Sequence, residues 1–90
     1  GNVFIYDENS LHNLGLNIKI LRIQYKMEQQ VLAKMLGISQ THMSNVEHGR
    51  VNVSLRLLLR TANIFNCTVD DILHTGGTVK NSADKNSAED

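Results

Sequence analysis

A glycine at the centre of a polar and apolar pattern, Gly37 within Gln29–Glu47, limits this chain more than any other feature. On either side, Leu32, Leu36, Ile38, Met43 and Val46 fall where one buried seam between two short helices would need them. Ala33 lies where such helices would cross closely, and Gly37 lies where the chain must reverse. A residue without Cβ adopts the backbone conformations of a tight reversal at little steric cost. The pattern predicts helices over Gln29–Leu36 and Gln40–Glu47.

Most residues that would face outward from the second of these helices are Gln, Thr, His, Ser and Asn. They are short, uncharged and rich in hydrogen-bonding groups, which suits reading base edges in a major groove. The two helices and their turn read as a helix-turn-helix motif. The competing reading of the outer face is a merely polar, solvated surface.

Ninety residues hold one small domain whose core is adequate but not generous. Cys67 is the one cysteine, so no intramolecular disulfide can form and packing must hold the fold. No apolar run approaches the ~20 residues of a membrane span. Nothing resembles a signal peptide, so a cytoplasmic chain without membrane association is expected. The formal net charge is zero but unevenly spread. Residues 14–77 carry seven lysines and arginines against four acidic residues, whereas 1–13 and 78–90 are net acidic. The middle is therefore mildly basic, which is compatible with phosphate contact.

Proline is absent and strand signals are nearly so, which predicts an all-α fold. The exception is Val3-Phe4-Ile5-Tyr6, read as an arm folded back on the core, as a dimer-contacting arm or as plain disorder. A first helix is expected to begin between Ser10 and Asn13 and to run to about Tyr25. Leu14, Ile18, Leu21 and Tyr25 would form its buried stripe. Gly49 is a natural left-handed terminator for the third helix. Ser54 caps a fourth, with Leu55, Leu58, Leu59, Ala62 and Phe65 as the buried stripe and Asn66 as a left-handed exit. Thr68 caps a short fifth helix with Asp71 at its third position, and Ile72 and Leu73 seal the core. The chain thus divides into an arm (1–12), a domain (13–75) and a polar tail (76–90) expected to be disordered.

The order of these elements resembles the lambda-repressor-like helix-turn-helix family, the XRE type of phage repressors and Cro proteins. Leu14-Gly15, Ile18 and Arg22 match its first helix. Gln29, Leu32, Ala33, Gly37, Ile38, Met43, Val46 and Glu47-His48-Gly49 match its central motif. Ser54-Leu55, Leu58, Ala62, Phe65 and Asp70-Asp71-Ile72-Leu73 match its last two helices. The resemblance implies a compact five-helix DNA-binding domain with the helix-turn-helix at helices 2 and 3. Three positions depart from the family pattern. Glu28 replaces the usual Ser or Thr cap of the second helix, Val53 stands where proline often precedes the fourth, and Thr61 occupies a usually apolar position. Thr61 implies either looser packing or a bond back to its own backbone.

The resemblance further implies that Gln29 and Gln40 act together. Gln29 would contact a phosphate, while the Gln40 amide would pair bidentately with adenine N6 and N7. Thr41 and Asn45 lie on the same outward face as Gln40, with Ser44 nearer its edge, which makes these four the candidate base readers. His42, His48 and Arg50 are candidate phosphate contacts beside them, Arg50 the strongest because it leaves a loop. His42 and His48 are six residues apart, off a common helix face, and no cysteine or carboxylate pair completes a metal site. No metal and no cofactor are expected. In several family members residues matching Arg22 and Glu47 form a partly buried ion pair, and the same structural pair is expected here.

Leu16, Ile20, Ile23, Leu57 and Ile64 fall off the main stripes, and any exposed cluster among them suggests self-association. A homodimer reading a palindromic operator is expected, through the fourth and fifth helices. The leading functional reading is a sequence-specific, double-stranded DNA-binding transcriptional regulator acting as a repressor. With no room for a ligand-sensing domain, its signal would come through a partner, proteolysis or concentration. The alternative is an antitoxin-like module whose DNA binding depends on a protein partner such as a toxin or anti-repressor. Cys67 lacks a nearby histidine and the acidic residues form no paired site, so no catalysis is expected.

Overall fold

A computed structural model describes residues 8–74, which form five helices: α1 (Glu8–Gln24), α2 (Gln29–Leu36), α3 (Gln40–Glu47), α4 (Leu55–Ile64) and α5 (Val69–His74). The two central helices have the ends that the sequence spacing predicts. The tetrad Val3–Tyr6 and the polar tail from residue 76 lie outside the described residues.

Helix α1 begins at Glu8, earlier than the expected Ser10–Asn13 window. Ser10 and Asn13 can both cap, but as residues of a helix interior they cost only about 0.5 kcal/mol each, too little to stop it. The helix closes through Lys26, a non-glycine residue at φ 55, with Met27 N–H donating to the Arg22 carbonyl at 2.9 Å. Gly37 (φ 75), Gly49 (φ 72) and Asn66 (φ 54) close α2, α3 and α4 in the same left-handed way.

The core gathers Leu14, Ile18 and Leu21 from α1, Leu32, Ala33 and Leu36 from α2, and Met43 and Val46 from α3. Val53, Leu57, Leu58, Ala62, Phe65 and Ile72 complete it. Gly15 brings α1 against α3: a Cβ there would collide with the backbone carbonyls of Val46 and Glu47. Asn17, buried on the α1 face toward α5, donates from Nδ2 to the Ile72 carbonyl. Thr68 and Asp71 exchange side-chain and backbone bonds, Asp71 N–H to Oγ1 at 2.9 Å and Thr68 N–H to Oδ2 at 3.0 Å. That is a reciprocal capping box for a six-residue helix.

The buried face of α4 differs from the expected stripe. Leu55 and Leu59 are 64% and 54% exposed, while Leu57, Leu58, Thr61 and Ala62 face inward. The hydroxyl of Thr61 allows this, because it donates to the Leu57 carbonyl at 2.8 Å and enters the core with its polar group bonded. Tyr25 also departs from its stripe and is 54% exposed, lying just past the helix end. Its ring still packs against Phe65 with centroids 4.9 Å apart, and its hydroxyl donates to the Phe65 carbonyl at 2.9 Å. Of the off-stripe residues, Leu57 is buried, Ile64 packs on the core, Ile20 is half-buried, and Leu16 and Ile23 are exposed.

Gly15→Ala is expected to push α1 off α3 and to cost about 1–3 kcal/mol as an overpacked contact. Urea denaturation of the variant reads this directly. A midpoint equal to wild type would show that the two backbones are not in the contact described.

Candidate nucleic-acid interface

Ser39 starts the site. Its Oγ accepts the His42 backbone N–H at 3.0 Å and caps α3, so the first turn of that helix stands free of the core. Sequence reading passed over Ser39, although a serine just ahead of a helix is the ordinary cap signal. From that start α3 buries Met43, Val46 and Glu47 and turns Gln40 and Thr41 to solvent, with Ser44 and Asn45 half-buried at the rim. Gln29, Gln40, Thr41, Ser44, Asn45 and Arg50 line one shallow polar concavity. Arg50 Nη1 lies 3.4 Å from Asn45 Oδ1, which holds the cation at its edge.

The two histidines part from this group. His42 opens on the other flank of α3, in a cleft with Asn52, Arg56 and Arg60 over an apolar floor of Leu36, Ile38 and Leu57. His48 sits at the exposed C-terminus of α3, its Nδ1 2.8 Å from the Ser44 carbonyl. At the N-terminus of α2, Glu28 makes no side-chain cap and is instead bonded by Gln30 Nε2 at 3.3 Å. The first turn of α2 is therefore without a side-chain cap, and Gln29 stands at the positive end of its helix dipole.

Beneath the concavity lies a buried ion pair. Arg22 Nε donates to Glu47 Oε2 at 2.7 Å and Nη2 to Oε1 at 3.2 Å, with side-chain exposures of 12% and 1%. The remaining amine, Nη1, donates to the Met27 carbonyl at 2.8 Å. Gln29 Nε2 adds a third donor to Glu47 at 3.0 Å, and Gln40 Nε2 donates to Gln29 Oε1 at 3.3 Å. A continuous chain of bonds thus runs from the α1–α2 turn to the outer face of α3. Paired and hydrogen-bonded in this way, the two charges meet the condition under which burial is tolerated.

Residues 18–72 match the helix-turn-helix family. The chain belongs to this family. Among relatives, a helix-turn-helix-type transcriptional regulator of Archaeoglobus fulgidus is 36% identical over 55 residues, covering 61% of this chain and 79% of its own. The ImmF control region 10 kDa protein of Bacillus phage phi105 is 40% identical over 53 residues, 59% of either chain. Among solved structures, the restriction-modification controller protein C.AhdI of Aeromonas hydrophila superposes with a TM-score of 0.67 at 26% identity, covering 71% of this chain and 97% of its own. The P22 c2 repressor, solved with a synthetic operator, gives 0.63 at 28% identity and covers 72% and 96% respectively. This helix-turn-helix protein is a DNA-binding transcriptional regulator of the XRE, lambda-repressor-like type, and not an enzyme. No helix among its described residues is long and apolar enough to cross a membrane.

Two outcomes are expected of this helix-turn-helix protein. Arg22→Ala leaves the Glu47 carboxylate buried without its cation, and should cost about 3 kcal/mol, the low end for a pair with some solvent access. A melting temperature no lower than wild type would contradict it. Cys67 packs at the core edge, where burial first and Asp71 second push its thiol above the ordinary value. Because only the thiolate attacks, alkylation by iodoacetamide should stay slow at neutral pH and accelerate on the alkaline side of an unhindered thiol's profile. A rate equal to that of a free thiol at pH 7 would refute the burial argument.

Proposed function

We propose that this protein is a repressor that binds a palindromic operator as a homodimer in the cytoplasm, blocking access to the DNA. The concavity shared by Gln29, Gln40, Thr41, Ser44, Asn45 and Arg50 carries the reading. Its polar groups are of the kinds that read base edges, and it holds a cation where a phosphate would pass. Gln40, Thr41, Ser44 and Asn45 contact bases, while Gln29, His42, His48 and Arg50 contact phosphates. With no arginine on the outer face of α3, the site is expected to be mixed in sequence rather than guanine-rich. The P22 c2 repressor, of similar fold and solved with an operator, supports the assignment. Leu55 and Leu59, exposed on α4, supply the apolar patch for a second copy. Two copies would set their recognition helices about one helical turn apart on DNA.

Selection from a random duplex pool at about 0.1 M salt tests this, since counterion release makes affinity salt-dependent. Enrichment of a two-fold symmetric site is expected, weakened at least tenfold by Gln40→Ala or Asn45→Ala, on the order of one bidentate base contact. Leu59→Glu should leave a folded monomer that no longer selects both half-sites. A folded protein that enriches nothing would overturn the reading and point to a partner-dependent module.

A further inference from the structure

We propose that Glu47 sets the hydrogen-bonding sense of Gln40, and thereby selects adenine over guanine at the base pair that Gln40 reads. The inference rests on the base-reading role proposed for Gln40. A glutamine amide is ambivalent, because its carbonyl oxygen accepts while its NH2 donates twice, and rotation exchanges the two ends. A carboxylate removes that ambivalence, since it has only acceptor sites.

Glu47, with its side chain 1% exposed, therefore obliges Gln29 to present Nε2 to it, at 3.0 Å. This turns Gln29 Oε1 toward the recognition helix, where it accepts from Gln40 Nε2 at 3.3 Å. Gln40 is left with a free carbonyl oxygen and one remaining N–H. The major-groove edge of adenine offers one donor, N6–H, and one acceptor, N7, which that remainder matches. Guanine offers two acceptors, N7 and O6, and calls for two donors. Gln40 has only one N–H to give. Reversed, the relay would place the Gln40 oxygen on Gln29 and free both N–H groups, favouring guanine.

Arg22 keeps the anchor one-directional. Two of its N–H groups fix the carboxylate and a third is held by the Met27 carbonyl, so Glu47 cannot swing away. Glu47 is thus a positioning residue: it touches no base and acts through Gln29.

The test uses the full chain as wild type, Gln29→Met and Glu47→Gln, with Gln40→Ala and Asn45→Ala locating the base pairs that those two residues read. On duplexes differing only at the Gln40 pair, wild type should favour adenine over guanine by about tenfold or more. Gln29→Met, which leaves the Arg22–Glu47 pair in place, should reduce that ratio to about threefold or less, and Glu47→Gln should do the same. Discrimination at the Asn45 pair, outside the relay, should persist. An unchanged ratio in Gln29→Met, equal loss at both pairs, or a wild-type preference for guanine would each overturn the proposal. A DNA-free arm reads the side-chain amide resonances of Gln40 by 15N–1H NMR. They should shift in Gln29→Met, and resonances that stay put overturn the relay. Failure of wild type to select any duplex would instead defeat the base-reading role itself.

Discussion

The Arg22–Glu47 pair is the point on which the site depends. It ties α1, the turn after it and the end of α3, and through Gln29 it reaches the first residue of α2. An eight-residue helix such as α3 is marginal alone, and its apolar seam is only Met43 and Val46. Two residues give a helix a place in the core but allow it to roll. A bidentate ion pair at one end, with the Gly15 backbone contact beside it, removes that freedom. Because desolvation offsets much of the attraction, the pair contributes more to orientation than to net stability.

The rest of the domain is built from short helices that stop abruptly. Residues in left-handed conformation at Lys26, Gly37, Gly49 and Asn66 bring each of the first four helices to an end and turn the next inward. The fifth is too short to persist alone. Its reciprocal cap and the Asn17 bond to the Ile72 carbonyl hold it on α1. Asn17 Oδ1 is buried with no hydrogen-bond partner among the described residues, so within them that dock is incompletely bonded.

Much of this was legible in the sequence. The ends of α2 and α3 follow from apolar spacing around Gly37, and helical geometry alone puts Gln40, Thr41, Ser44 and Asn45 on adjoining outward positions. The phase of α4 was not legible. Leucine at 55, 57, 58 and 59 offers more than one apolar face, and the choice turned on a threonine hydroxyl bonding within its own helix. Asn17 was missed because a lone asparagine on a helix reads as surface until its partner across the fold is known. Sequence resemblance pairs Gln29 with Gln40, but the direction of their bond depends on a third residue that only the folded geometry brings near.

The core-facing and outward-facing residues of α3 are nearly disjoint sets. Met43, Val46 and Glu47 hold the helix, while Gln40 and Thr41 lend no atoms to the interior. Substitutions at Thr41 can therefore drift without eroding the scaffold, so descendants of one such domain can diverge in the DNA they address while keeping a common interior. Gln40 is the exception, because its amide is bonded to a side chain on another helix. A lineage that changes it takes the donor from Gln29 Oε1, so these two positions are expected to vary together more often than one at a time.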